Sequence, residues 1–333
     1  MILLFEGSTL LLMMAIALTV GPVKISFKEI YEIIWKIIFN DHHIFVNNKL
    51  FSHAVIITQV RLPRIILSVL VGISLASSGM TLQALFRNPL ASPYILGISS
   101  GAAFGGAFAI LMGFKKAIFF PIFSLSFAFF TTFLVYKLSQ RDKTIIVGNL
   151  LLSGVAIAAF FSAMLSFSLY LAGEKLYQII FWLMGGFWLS NWNKLFILFP
   201  MVILGITGLF FFYKEMNLLL LGDRTAMDLG VDVERTKKIL LFLTSLLTSG
   251  AVCMSGMIGF VGLIVPHMMR LLIGPDHRYL LPASCIGGGL LLLFVDTFAR
   301  SIITPVEVPV GVFTALIGAP FFLFLLKQQR NSQ

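Results

Sequence analysis

Charge is the scarcest thing in this sequence. Of 333 residues, 11% are Asp, Glu, Lys or Arg and 59% are hydrophobic, with a mean hydropathy of +0.99. Soluble domains are about a quarter charged. So few charges cannot cover a water-facing surface, and the chain is an integral membrane protein. Cysteine is nearly as scarce: Cys253 and Cys285 lie in apolar runs, which excludes a disulfide framework and a zinc site and leaves two small buried hydrophobes. No Gly-Lys dipeptide occurs. A phosphate-binding loop needs Gly, then Lys and Ser or Thr, so that backbone N–H groups and an ammonium cradle the phosphates. The chain therefore holds no ATP in that manner. No Ser-His-Asp set, no paired-histidine zinc motif and no metal-spaced Cys/His cluster supports a membrane enzyme. The net charge of +10 is scattered between oily runs and forms no basic face for nucleic acid. It fits solvated loop ends and anionic lipid head groups.

Long apolar runs fill the rest. A spanning helix needs ~20 mostly apolar residues, with its backbone hydrogen bonds closed inside the segment. Ten runs qualify: Ile2–Val20, Ile65–Leu85, Tyr94–Met112, Ala117–Leu138, Ile145–Leu171, Leu195–Tyr213, Ile239–Met257, Ile258–Ile273, Leu280–Phe298 and Val310–Leu326. None alternates with period two, so the expected fold is an all-α polytopic bundle in one transmembrane domain over residues 1–333. The first run has no preceding Lys or Arg and no clear cleavage site, and reads as a retained span. Between the seventh and eighth runs, Gly250, Gly256, Gly259 and Gly262 replace a polar loop, so the chain must turn tightly there. Gly101 and Gly105 have the spacing of closely packed helices.

Ten spans put both termini on one side. With the C-terminal tail inside, 13 of the 24 basic residues face inward, a margin too small to decide. Six of the other 11 fall between Gly21 and Arg64, and long loops carry less topogenic weight. Trp35, Trp182, Trp188 and Trp192 all fall on the opposite side, where tryptophan marks the membrane–water boundary. The 173–194 segment then reads as a half-embedded outer hairpin, and both termini as cytoplasmic.

The largest inner polar segment is 214–238. Asp223 is placed to cap a short helix that Gly230 ends, and Asp232 to cap a second that runs into the seventh span. Eight of the 16 residues from Asp223 to Lys238 are charged. A solvated connector is the plain alternative, but two capped helices in tandem make a rigid surface that a cytoplasmic partner can push. An ion-driven carrier buries ionisable residues at mid-membrane, and here the spans are almost free of them. Asp296, Arg300 and Glu307 lie at the outer end of the ninth span and in the loop after it. Asp296 and Arg300 are four apart and can pair on one helix face. Glu6 reads as interfacial. His42, His43 and His53 read as surface residues of the outer loop, and His267 as a packing or capping residue. Ser162 and Ser166 share one helix face, where they either line a polar path or bond to carbonyls four residues back.

Arg61 and Arg64, in RLPR, stand where the chain enters the second run. Either residue would cost roughly 2.5–3.5 kcal/mol at mid-bilayer, so both belong at an edge. One account is anchoring to lipid phosphates. Another comes from resemblance. RLPRIILSVLVGISLASSGMTLQALFRNPLASPYILGISSGAAFG, then GFVGLIVPHMMRLLIGPDHRYLLP, then DTFAR and EVPVGVFTALIGAPFFLFLL closely resemble permeases of iron-siderophore, haem and cobalamin ABC importers, the ten-helix type II importers. MGGFW and LLLLGDRTAMDLG fit in order, and the resemblance covers Arg61 to Leu326.

That resemblance implies a homodimer in the cytoplasmic (inner) membrane, with one path at its two-fold axis. It implies two ATP-binding subunits inside, which hold ATP and magnesium while this chain holds no cofactor, and a substrate-binding protein docking outside. By position, Arg61, Arg64 and Arg300 match residues that pair with that protein's glutamates. Leu221, Gly222, Asp223, Arg224, Ala226, Leu229, Gly230 and Val231 match the segment that couples to the ATPases. Asn88, Pro89 and Leu90, with Val147 and Gly148, match positions that narrow the inner end of the path. The implied cargo is a metal chelate such as a siderophore, haem or cobalamin, with an oxyanion such as molybdate as the alternative. An ion-gradient carrier is the rival of a different class.

Overall fold

A computed structural model describes residues 2–38, 48–114, 119–141, 144–145, 147–303 and 306–331. Ten apolar helices make the bundle: α1 (Ile2–Thr19), α4 (Leu62–Phe86), α5 (Ile98–Leu111), α6 (Phe119–Ser139), α7 (Val147–Leu171), α9 (Trp192–Phe211), α12 (Val233–Ser255), α13 (Val261–Ile273), α14 (His277–Ala299) and α15 (Val310–Asn331). Seven are long and apolar enough to cross a membrane, and α5, α13 and α15 contribute shorter apolar stretches. Among the described residues five short α-helices accompany them: α2 (Phe27–Ile38), α3 (Asn48–Val55), α8 (Leu176–Leu183, after a 3-10 turn at Gly173–Lys175), α10 (Tyr213–Leu220) and α11 (Asp223–Asp228). A two-residue antiparallel ladder, Gln140–Arg141 against Thr144–Ile145, lies between α6 and α7.

Helix α4 is the core. It packs against α14, α12, α13 and α9, and nearly all of its side chains are buried. Because no water reaches its hydroxyl groups, they bond within the helix. Ser74 and Ser78 donate to carbonyls four residues back at 2.8 and 2.7 Å, and Thr81 does so at 2.9 Å. The backbones come very close: a Cβ built on Gly79 would sit 1.7 Å from the Gly262 carbonyl oxygen on α13. Apolar burial gives little drive between helices in lipid, so such close approach is what holds them. The Gly101/Gly105 pattern works in this way against α6, where a Cβ on Gly101 would meet Thr131 Oγ1 at 2.0 Å. Between α12 and α13 the chain turns on Gly256 (φ 73°) and Phe260 (φ 67°), within the expected tight connection.

The stretch read as a long outer loop is more ordered than expected. Helix α2 packs Ile30 and Ile33 inward, and Lys49–Phe86 forms one continuous 38-residue helix with a π-helical turn at Ile56–Arg61. His53, expected at the surface, is buried there, 3.8 Å from Glu29. His42 and His43 lie outside the described residues. Glu6 is buried, and one of its carboxylate oxygens has no partner among the described residues. Cys253 and Cys285 are free and buried. Ser166 donates to the Ser162 carbonyl oxygen at 3.0 Å, the back-bonding alternative.

Candidate functional site: charged clusters at the two ends of the bundle

The first cluster lies where α1 ends, α4 begins and α14 ends. Arg64 is 7% exposed and uses its whole guanidinium fork. Nε lies 3.1 and 3.0 Å from the two Asp296 oxygens, Nη2 lies 2.7 Å from Oδ1, and Nη1 is 2.9 Å from both Glu307 oxygens. Arg61, 3% exposed, donates to the Leu18 and Val23 carbonyls. Arg300, also 3% exposed, donates to the Ala17 carbonyl at 2.6 Å. Three arginines and two carboxylates thus leave one net positive charge, and together they tie α1, α4, α14 and the segment before α15.

Two expectations change here. Asp296 and Arg300 form no ion pair. Asp296 sits on the face of α14 packed against α4, so its carboxylate meets Arg64, while Arg300 is the C-cap of α14 and turns toward α1. The arginines are not a free cationic edge either. Each points inward, onto carboxylates or backbone carbonyls, and none is left for a lipid phosphate. Of the five charged side chains, Glu307 is the one with substantial exposure, at 25%. The four tryptophans sit at this end, and Trp192 Nε1 donates to the Thr58 carbonyl oxygen in the π-helical turn at 3.0 Å.

The second cluster occupies the opposite end. Asp223 was expected as a helix cap, but Gly222 (φ 112°) takes that position. The Asp223 carboxylate instead accepts from Arg87 Nη2 at 3.2 Å and from Lys237 Nζ at 2.6 Å. The reason is competition: a nearly buried ammonium needs a carboxylate more than a short, exposed helix needs a cap. Lys237 is 1% exposed and also donates to the Ile145 carbonyl oxygen at 3.3 Å, while Glu234 accepts from the Ile145 amide at 2.9 Å. Asp232 caps α12 as expected, accepting from the Arg235 amide at 3.0 Å, and Gly230 (φ 87°) ends α11. Ala226 is fully buried, while Leu221, Met227 and Leu229 are 62, 54 and 58% exposed. The segment is therefore a ledge, pinned on one side by Ala226 and Asp223 and apolar on the other. Arg224 is exposed and Val231 partly buried.

The two stretches expected to narrow a path lie at this same end. Asn88–Leu90 follows Arg87, which has φ 50° and closes α4, and Asn88 Oδ1 accepts the Leu90 amide at 2.9 Å. Val147 packs on the core two residues after Ile145, while Gly148 is exposed with nothing within 4 Å of an added Cβ. Asp223 and Lys237 thus bond toward both stretches. Lys237, Glu234, Arg87 and Glu307 were not singled out from sequence as site residues. Nothing local separates them from other loop charges, because their partners are remote in the chain.

Comparison with known proteins adds to this geometry. The model of the FecCD transport family matches residues 9–328. The cobalamin import system permease protein BtuC of Halobacterium salinarum is 46% identical over 275 residues, covering 83% of this chain and 74% of that one. The hemin transport system permease protein HmuU of Yersinia pestis is 38% identical over 348 residues, covering 99% and 97%. A solved structure described as an inward-facing conformation of a metal-chelate type ABC transporter has a TM-score of 0.86 at 37% identity, covering 98% of this chain and 99% of that one.

Proposed function

The chain belongs to the FecCD transport family as an ABC importer permease, and from that premise we propose that it forms, with a second copy of itself, the membrane path of an ATP-driven importer of a metal chelate. The observation that carries this reading is the ledge at 221–231. A segment with exposed Leu221, Met227 and Leu229, anchored beneath by Ala226 and Asp223, fits a surface that a separate ATPase grips and moves. Because the chain lacks a phosphate-binding loop, the energy comes from those ATPases, with ATP and magnesium held there. The ledge then faces the cytoplasm. In this reading both termini lie inside, which is supported by α1 starting and α15 finishing at the ledge end.

In this reading the opposite end receives a binding protein. The net positive charge of the Arg61, Arg64 and Arg300 cluster suits acidic side chains on such a partner, and charges of this kind serve orientation and encounter rate more than affinity. All three arginines are buried, so direct pairing requires the Glu307 segment to move off Arg64 and the end of α1 with the chain after it to move off Arg61 and Arg300. The proposed cargo is a siderophore, haem or cobalamin; cobalamin and hemin are named for two of the relatives above, and a metal chelate for the solved structure.

The test is reconstitution in proteoliposomes with the candidate ATPase and binding protein, scoring uptake of ferric siderophore, haem, cobalamin and molybdate. ATP-dependent uptake of a chelate supports the reading, and uptake of molybdate alone moves it to an oxyanion. Uptake by this chain alone under an ion gradient overturns it.

A further inference from the structure

The end of the bundle away from the ledge holds a two-lobed cavity separate from both charged clusters. One lobe, about 290 Å³, lies among α6, α9 and α12. The other, about 390 Å³, lies among α5, α6, α8 and α9. Phe120 and Lys194 line both lobes, so the two adjoin.

Two half-buried ammonium groups border this space. Lys194 Nζ donates to the Met254 carbonyl oxygen at 3.1 Å, and Lys175 Nζ donates to the Leu111 carbonyl oxygen at 2.9 Å. Those carbonyls close the last turns of α12 and α5, where a cation complements the helix dipole. Capping explains one donor of three on each ammonium. It does not balance the charge, because no Asp or Glu among the described residues lines either lobe. Trp182 lines the second lobe and is 6% exposed, and its indole N–H is buried without a partner among the described residues. Much of the remaining wall is apolar. A cavity with two cations and apolar walls, at the end of the bundle that carries the tryptophans, has the chemistry of a site for a lipid phosphate.

We propose that this cavity binds the phosphate head group of an anionic phospholipid, held between Lys175 and Lys194. The site stands independently of what the transporter carries.

The full chain is to be placed in phosphatidylcholine nanodiscs with and without phosphatidylglycerol, beside the double variant Lys175→Gln/Lys194→Gln and the variant Ile110→Trp, which keeps both lysines and fills the second lobe. Native mass spectrometry should find phosphatidylglycerol carried with the wild type, and at least about tenfold less with either variant. Melting temperature should rise with phosphatidylglycerol for the wild type alone. Equal retention by wild type and double variant overturns the proposal. Equal stabilisation by inorganic phosphate in phosphatidylcholine discs also overturns it, by making this a free-anion site. If the double variant melts lower in phosphatidylcholine alone, Ile110→Trp decides: lost lipid supports the site and retained lipid refutes it.

Discussion

The ammonium of Lys237 lies 2.6 Å from the Asp223 carboxylate, joining the buried root of α12 to the first residue of α11. Through Lys237 the pair also reaches Ile145, and through Asp223 it reaches Arg87. A ledge that moved without α12 would have to break this pair first, and one that moved without the turn after α4 would have to break the Arg87–Asp223 bond.

Asp223→Asn should therefore loosen the ledge. Removing one partner of a buried pair costs about 3–5 kcal/mol. The Asp223 side chain is 32% exposed, so solvent screens the loss and the low end of that range applies. Hydrogen exchange should rise across 221–231 and at the start of α7, with α15 unchanged. Protection equal to wild type would remove the pair from the linkage.

Arg64 offers a second measurement. Arg64→Met leaves Asp296, fully buried, and Glu307 without their cation, at a cost of about 3–5 kcal/mol. Arg64→Lys should recover only part of this, because an ammonium cannot span two carboxylates with a planar fork. Adding Asp296→Leu to Arg64→Met should restore some of the lost melting temperature. Additive losses in the double variant would show that the two side chains do not act as a pair.

Close approach of α4 and α13 predicts a sharp contrast between two glycines. Gly79→Ala forces a methyl to within 1.7 Å of a backbone oxygen, so the helices must part, at 1–3 kcal/mol or more by the usual scale of about that size for overpacking. Gly148→Ala meets nothing within 4 Å and should leave the melting temperature near wild type. Melting both purified variants in the same detergent distinguishes the two outcomes.

The pH dependence should show at Asp276. The Arg278 amide, and then the Asn217 side-chain amide, hold its carboxyl below the usual carboxylate range. A lowered folded value means that the charged form is the stabilising one. Its contribution is complete above the unfolded value of about 3.9 and is lost as pH falls through the lower folded value. The melting difference between wild type and Asp276→Ala should be constant near neutrality and shrink only in strong acid. A difference that already fades between about pH 5 and 7 would assign the effect to another group.

Reversing Arg61, Arg64 and Arg300 to Glu separates two roles for the outer cluster. The melting temperature should fall in either case, because Arg64 holds Asp296 and Glu307. Docking of the folded fraction decides: binding-protein association that falls while ATPase assembly persists assigns a docking role, and unchanged association leaves the residues to the fold alone.

The ten spans were legible in the sequence to within a few residues at most ends, because a lipid solvent demands long apolar runs whose hydrogen bonds close locally. The Asp232 cap and the end of α11 at Gly230 were legible because each depends on neighbours in the chain; the small-residue spacing at Gly101 and Gly105 was legible as a pattern, while its partner, Thr131 on α6, was not. Where a charge finds its partner was not. Arg64 and Asp296 are 232 positions apart, and Arg87 and Asp223 are 136 apart. From sequence, Asp296 had a partner four residues away and Asp223 had a helix to cap. The packed bundle overruled both, since burying Arg64 and Lys237 away from water makes a remote carboxylate worth more than a local, solvated one.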